Sequence, residues 1–329
     1  MSNEFIGKFS ELGLAVESVR GTAEDSPEKC LKKIEANFYK NVEKAEDESV
    51  VATVVDVNKL KKTQEVYEGE VNMNLHADVI GYLFQNLWGE STTEDLGSGA
   101  YKHTFSLLES ITRPTLTAFL KDGEVKQEKV SGCVVESLTI SGAMDDIISG
   151  NFNLRGVKGV DDTSTFSYDQ EYDFIGKDVT VKMADTKAGL DTAEATEVKD
   201  YEIEMSTGTQ DDYTSDGEYY PSNIYQNNLN VSISLTANYK DETFKDLNDS
   251  DNSKFIRITI EGDTDIGGGN KPKVELDFYN AFVEDWERGS SRDEVITQEI
   301  TLRATYNETE ETVGGAEVIN KTSGYNTGS

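Results

Sequence analysis

Cations, prolines, cysteines, histidines and long apolar runs are all scarce in this 329-residue chain, and each shortage excludes something. Lysine and arginine number 31 against 63 aspartates and glutamates, a formal net charge of −32. A nucleic-acid binder holds phosphates with cations that displace condensed counterions. This chain therefore repels DNA on average, and an anionic membrane surface with it. Two cysteines, Cys30 and Cys133, supply no disulfide framework. Cys133 falls inside a predicted strand and is expected as a buried free thiol. The two histidines, His76 and His103, stand apart from each other and from any cluster with metal-ligand spacing. No run approaches the roughly 20 apolar residues of a membrane helix, and the first residues lack the basic-then-apolar pattern of a signal peptide. No nucleophile elbow and no zinc-binding helix motif occurs. Four prolines are few for a chain with so many turns.

The chain does contain β pattern, and contains it twice. Short Val/Ile/Leu runs punctuated by Gly, Asn, Asp and Ser predict mainly β structure. Residues 131–156 slide forward by 148 positions onto 279–304 without a gap. Val135 then meets Val283, Glu136 meets Glu284, Asp145 meets Asp293, Ile148 meets Ile296, Leu154 meets Leu302 and Arg155 meets Arg303. Leu138 meets Trp286, and Phe152 meets Ile300. Each copy reads strand, polar turn, strand. A turn centred between Asp145 and Asp146 sets Glu136 opposite Arg155; one centred between Asp293 and Glu294 sets Glu284 opposite Arg303. Such a cross-strand pair is worth about 0.2–1 kcal/mol, so it fixes register more than it stabilises. Val135, Phe152 and Leu154 form the expected buried stripe of the first copy, and Val283, Ile300 and Leu302 that of the second. Leu138 and Trp286 are expected on the charged face. A large apolar residue there marks a contact surface or a site covered by a helix.

A second segment recurs. Val71, Met73 and Leu75 alternate with Glu70, Asn72, Asn74 and His76, and the spacing of Val79, Ile80, Leu83, Phe84 and Leu87 predicts a helix over 77–88 that Gly89 ends. Shifted by 160, Val71 meets Val231, Met73 meets Ile233, Leu75 meets Leu235 and Phe84 meets Phe244. The strand expected over 229–239 carries Ser232, Ser234 and Thr236 on its polar face, and a short helix is expected over 240–247. Two matched segments in one order predict two tandem β domains with a short helix per half, over 1–160 and 161–310, followed by a flexible tail over 311–329. The drop in offset from 160 to 148 assigns extra length to the first copy near residues 90–125.

Further strands are predicted over 13–23, 50–57, 101–108, 116–120, 179–183, 201–205 and 255–260, with one more around Phe166–Phe174. Residues 25–49, 91–100 and 206–222 are expected as loops, the first with a short helix. The acidic run 246–253 lacks the sixth-position Gly and twelfth-position Glu of a calcium loop. Gly267-Gly268-Gly269 lacks the Lys-Ser/Thr and the helix of a phosphate cradle. Both are read as turns, and no catalytic, cofactor or metal site is expected.

With these residues in place, the chain resembles the tail tube proteins (major tail proteins) of long-tailed bacteriophages over roughly residues 10–307. The resemblance lies in the opening run from Gly13 to Ala23, and in Glu68-Gly69-Glu70-Val71 through Gly81-Tyr82-Leu83-Phe84 to Leu87-Trp88-Gly89. It continues in His103-Thr104-Phe105 and in the closing strand Ile300-Thr301-Leu302-Arg303-Ala304. The resemblance implies a β-sandwich or β-barrel-like tail tube fold and a structural, non-enzymatic role in the virion, with synthesis in the host cytoplasm and no cofactor. It implies homo-oligomeric rings stacked into a hollow tube, through which DNA is ejected without specific binding and without a membrane partner. Tape measure, tail terminator and distal tail proteins are the implied neighbours. In most of that family a ring holds six single-domain subunits, so a doubled domain implies a trimeric, pseudo-hexameric ring, with a hexamer as the alternative. On that reading Glu70, Asn72, Asn74, Ser232, Ser234 and Thr236 are lumen candidates. Glu136, Arg155, Glu284, Arg303, Leu138 and Trp286 are hairpin-register and assembly candidates, and the three expected loops are candidates for contacts between rings. Tubes of contractile and bacterial secretion systems are similar. The alternative function is a virion decoration or surface β-sandwich that binds capsid or host and never stacks.

Overall fold

The computed structural model describes residues 7–49, 54, 59–290 and 292–325. In chain order the first strands are β1 Ser10–Val16, β2 Lys29–Cys30, β3 Lys33–Ala36, β4 Tyr39–Asp47 and β5 Lys59–Asn74, followed by helix α1 Ala77–Trp88. Then come β6 Gly89–Gly97, β7 Ala100–Leu107, β8 Leu116–Asp122, β9 Lys126–Ala143, β10 Ser149–Gly156 and β11 Lys158–Asp161. The rest comprises β12 Val179–Ala184, β13 Ala195–Thr196, β14 Val198–Asp212, β15 Asn223–Asn238, helix α2 Thr243–Asn248, β16 Lys254–Glu261, β17 Lys273–Arg288, β18 Thr297–Ala304 and β19 Gly314–Asn320. The chain is mainly β, as its composition predicts.

The centre of the molecule is a run of antiparallel neighbours in the order β4–β5–β10–β9–β14–β15–β18–β17. From β9 the sheet also continues through β8 and β1 to β2, and from β17 through β16 and β12 to β13. The two series pair in matching registers. Phe152 faces Val71 and Leu138, while Ile300, 148 residues on, faces Leu235 and Trp286. Ala36 faces Val71 as Tyr201 faces Leu235. Irregularities match as well. The β9–β10 ladder skips Glu136 between Val135 and Ser137, and the β17–β18 ladder skips Glu284 between Val283 and Asp285. The β8–β9 and β16–β17 ladders shift around Gly132 (φ 64°) and Asn280 (φ 50°), again 148 apart.

These registers correct one alignment. Val71 and Leu235 occupy matching places, an offset of 164 and not 160. A slip of four residues keeps every side chain on its own face, so alternation alone is blind to it; the partner strands decide.

Inward residues of the central run form continuous apolar rows. Val71, Phe152, Leu138, Met205 and Val231 follow one another across five strands, each at most 1% exposed. Burying each of the larger side chains is worth about 1.5–3 kcal/mol. Helix α1 packs into the same core through Val79, Ile80, Leu83, Phe84 and Leu87. It stops at Gly89, whose φ of 93° suits glycine and whose N–H reaches the Gln85 carbonyl. Tyr325 is seated on Gly81, where any Cβ would lie 2.1 Å from the tyrosine ring.

Several stretches differ from expectation. Residues 25–49 hold β2, β3 and β4 instead of a helix, and 91–100 lie mostly in β6, which pairs with β7. β14 runs on to Asp212, shortening the expected loop at 206–222. The expected tail contains β19, which pairs with both β17 and β7. Phe166–Phe174 forms no strand, although Phe174 is fully buried. The missed strands β4 and β6 are mostly exposed and polar on both faces, so they carry no apolar alternation to read. The strand expected over 50–57 falls outside the described residues except for Val54.

Candidate functional site

The outward face of the central run is a polar sheet surface built by the same alternation that builds the core. One row across it reads Asn72, Asn151, Thr139, Glu204, Ser232 and Arg303. The next reads Asn74, Ser149, Ser141, Glu202, Ser234 and Thr301. Asp200, Thr236 and Glu299 extend it at one end, and Glu70, Asn153, Ser137 and Ser206 at the other. All six residues Glu70, Asn72, Asn74, Ser232, Ser234 and Thr236 therefore lie on one face of one sheet, half-buried or exposed. Short hydroxyl and amide side chains tie the surface together: Asn153 Nδ2 donates to Ser137 Oγ at 2.9 Å, Ser141 and Ser149 hydroxyls meet at 3.0 Å, and Asn151 donates to Glu70.

Two arginines, Arg155 and Arg303, lie along this face, and both are neutralised. Arg155 Nη1 donates to Glu68 Oε2 at 2.7 Å, and its Nε and Nη2 clasp the Asp211 carboxylate at 2.7 and 2.6 Å. Glu136 stands 3.8 Å away. The hydrogen bonds to Asp211 above all, with Glu136 and Glu68 nearby, hold the guanidinium well above its ordinary range despite burial. Among the described residues Arg303 has a single partner, Glu284 at 3.4 Å, and both side chains are about half exposed.

The predicted hairpin pairs therefore form, but in another register. Arg155 faces Val134 and Arg303 faces Phe282, because Glu136 and Glu284 are bulged out of their ladders and reach their arginines diagonally. The bulge also resets the alternation. Leu138 consequently lies in the core and is fully buried, not on the charged face. Trp286 likewise turns away from the charged face and packs half-buried against the core opposite Ile300; its Nε1 donates to Gln298 Oε1 at 2.9 Å and its ring lies 6.2 Å from that of Tyr239. Asp211, Glu202, Glu204 and Glu68 belong to the face but were not singled out from sequence. The alternation of Tyr201, Ile203, Met205 and Thr207 is the signal that extends β14 far enough to find Asp211.

Among the described residues no group of three or more His, Cys, Asp or Glu side chains could hold a metal ion. His76 is buried with Nδ1 3.3 Å from the Tyr172 carbonyl, and His103 is held by Thr93, Asn320 and the Thr322 carbonyl. Cys30 and Cys133 are both free and buried. No described helix is long and apolar enough to cross a membrane.

The face is thus broad, polar and poor in cations, with its short hydroxyl and amide side chains bonded to one another and to carboxylates. A family model described as phage tail tube protein matches residues 7–318. No curated protein matches the chain. The match spans nearly the whole β architecture from β1 through β19, and the chain belongs to the phage tail tube protein family as a structural protein of the virion tail.

Proposed function

We propose that the chain is a doubled tube subunit: its two strand series are tandem copies of one domain, three chains close a pseudo-hexameric ring, and stacked rings form the conduit for DNA ejection. The observation that carries this reading is the recurrence of pairing. The order β4–β5–β10–β9 returns as β14–β15–β18–β17, with bulges at Glu136 and Glu284. The two sets lie side by side in one sheet, so each chain offers eight consecutive strands of a wall. Closing such a wall into a barrel removes its open edges.

The polar face lines the lumen in this reading. Its hydroxyls and amides give DNA phosphates no cation to hold, its carboxylates repel them, and its two arginines are already paired. Core domains of the two copies would divide near residues 1–160 and 161–310, with β19 closing the second. Tape measure, terminator and distal tail proteins would meet the stacked rings. The test is negative-stain electron microscopy of the purified chain across concentration and salt, since screening eases the approach of acidic subunits. Hollow tubes or stacked rings are expected. A dispersed monomer at every concentration and salt, which instead decorates capsids, would favour a virion surface protein.

A further inference from the structure

The central sheet has one internal junction and two open edges. Inside the chain β9 pairs with β14, with Leu138 facing Met205 and Ser137 facing Ser206. By the matched registers, β17 stands where β9 stands, 148 residues on. The β3–β4 segment stands where β14 stands, 165 residues back: Lys33 and Asp47 correspond to Val198 and Asp212. Yet among the described residues no strand pairs with the outer edge of β17 over 285–288, or with the outer edge of β4.

We propose that these two edges close on each other between neighbouring copies of the chain, in the register of the internal junction, so that Trp286 of one copy faces Lys40 of the next and Asp285 faces Asn41. The inference rests on the doubled-subunit reading and gives its ring contact a residue-level register.

Side-chain chemistry agrees with that register. Across the internal junction Arg155 clasps Asp211 at 2.6 Å and Thr209 donates to Glu136 at 2.5 Å. Transferred to the open edges, Asp211 becomes Glu46 and Arg155 becomes Arg303, again a carboxylate against a guanidinium. Thr209 becomes Lys44 and Glu136 becomes Glu284, so a hydrogen bond is replaced by an ion pair. Lys44 and Glu46 are exposed and make no ion pair among the described residues. Among the described residues, half-exposed Arg303 meets only the Glu284 carboxylate. Lys44 and Glu46 thus stand where the internal junction holds bonded groups, Arg303 and Glu284 are about half exposed beside each other, and a long unpaired edge invites pairing with another chain.

The test uses cysteine pairs in the full chain, because both native cysteines are buried. Asn41→Cys with Asp285→Cys should give interchain disulfides in assembled rings under mild oxidation. Asn41→Cys with Gly289→Cys, four residues out of register, should give few. Arg303→Glu should raise the concentration needed for assembly on the order of tenfold with an unchanged circular dichroism spectrum, and adding Glu46→Arg should restore it. Rings that form normally but cross-link only in the slipped pair, or that ignore the charge swap, would overturn the junction and leave the doubled ring standing. Absence of rings from the wild-type chain would overturn both.

Discussion

Arg155 and Arg303 occupy matching places in the two strand series and live in different surroundings. Arg155 is four-fifths covered and meets three carboxylates, from β5, β9 and β14. Arg303 is half exposed and meets one. Leu138 and Trp286 repeat the contrast: the first is sealed in the core, the second only half-buried. The difference traces to one strand. β14 pairs with β9 within the chain, and among the described residues no strand pairs with the outer edge of the matching stretch of β17. One series is thus completed by folding, while the other keeps, among the described residues, an open edge of the kind that invites another strand.

The contrast can be broken at the arginines first. Arg155→Glu sets a fourth carboxylate among Glu68, Glu136 and Asp211 and leaves them unpaired, at a cost of about 3 kcal/mol. Arg303→Glu loses only an exposed pair, worth below about 1 kcal/mol. Urea denaturation of the dispersed chains measures both, and equal losses would refute the asymmetry. Next come the apolar pair. Leu138→Ala opens a cavity in the core and should cost about 3 kcal/mol. Trp286→Ala should cost about 1 kcal/mol in the isolated chain, and its larger effect should appear in assembly, read by sedimentation.

The smallest effect concerns the region with no counterpart, the β6–β7 hairpin. Burial holds the His103 imidazole below its ordinary value near 6.5, although the Thr322 carbonyl, Asn320 and Asp78 pull it up. As pH falls, the unfolded chain binds the proton first. Stability from the neutral ring is therefore complete above about pH 6.5 and is lost on acidification toward the lower folded value. Hydrogen exchange of β7 and β19 should quicken below pH 6.5 relative to β9 and β10, and His103→Gln should remove that dependence. Identical pH profiles for the two variants would show that the imidazole is not the titrating group.

Where residues meet two environments the sequence was legible. Val71, Met73 and Leu75 turn inward and Asn72 and Asn74 outward, so β5 and the polar face could be read from alternation. Helix α1 matched its predicted span because its apolar spacing and Gly89 agree. Strands with both faces wet, such as β4 and β6, gave no such contrast. The bulge at Glu136 was invisible because one extra residue leaves composition unchanged while inverting every later side chain; Leu138 moved from surface to core on that account. Docking of Tyr325 depends on the close approach at Gly81, which is set by tertiary contact and leaves no local pattern.

The central claim, that one chain supplies two of six ring positions, is tested most directly by native mass spectrometry of rings released from tubes. A ring of three 36.4 kDa chains is the result this account predicts. A ring of six such chains would contradict it.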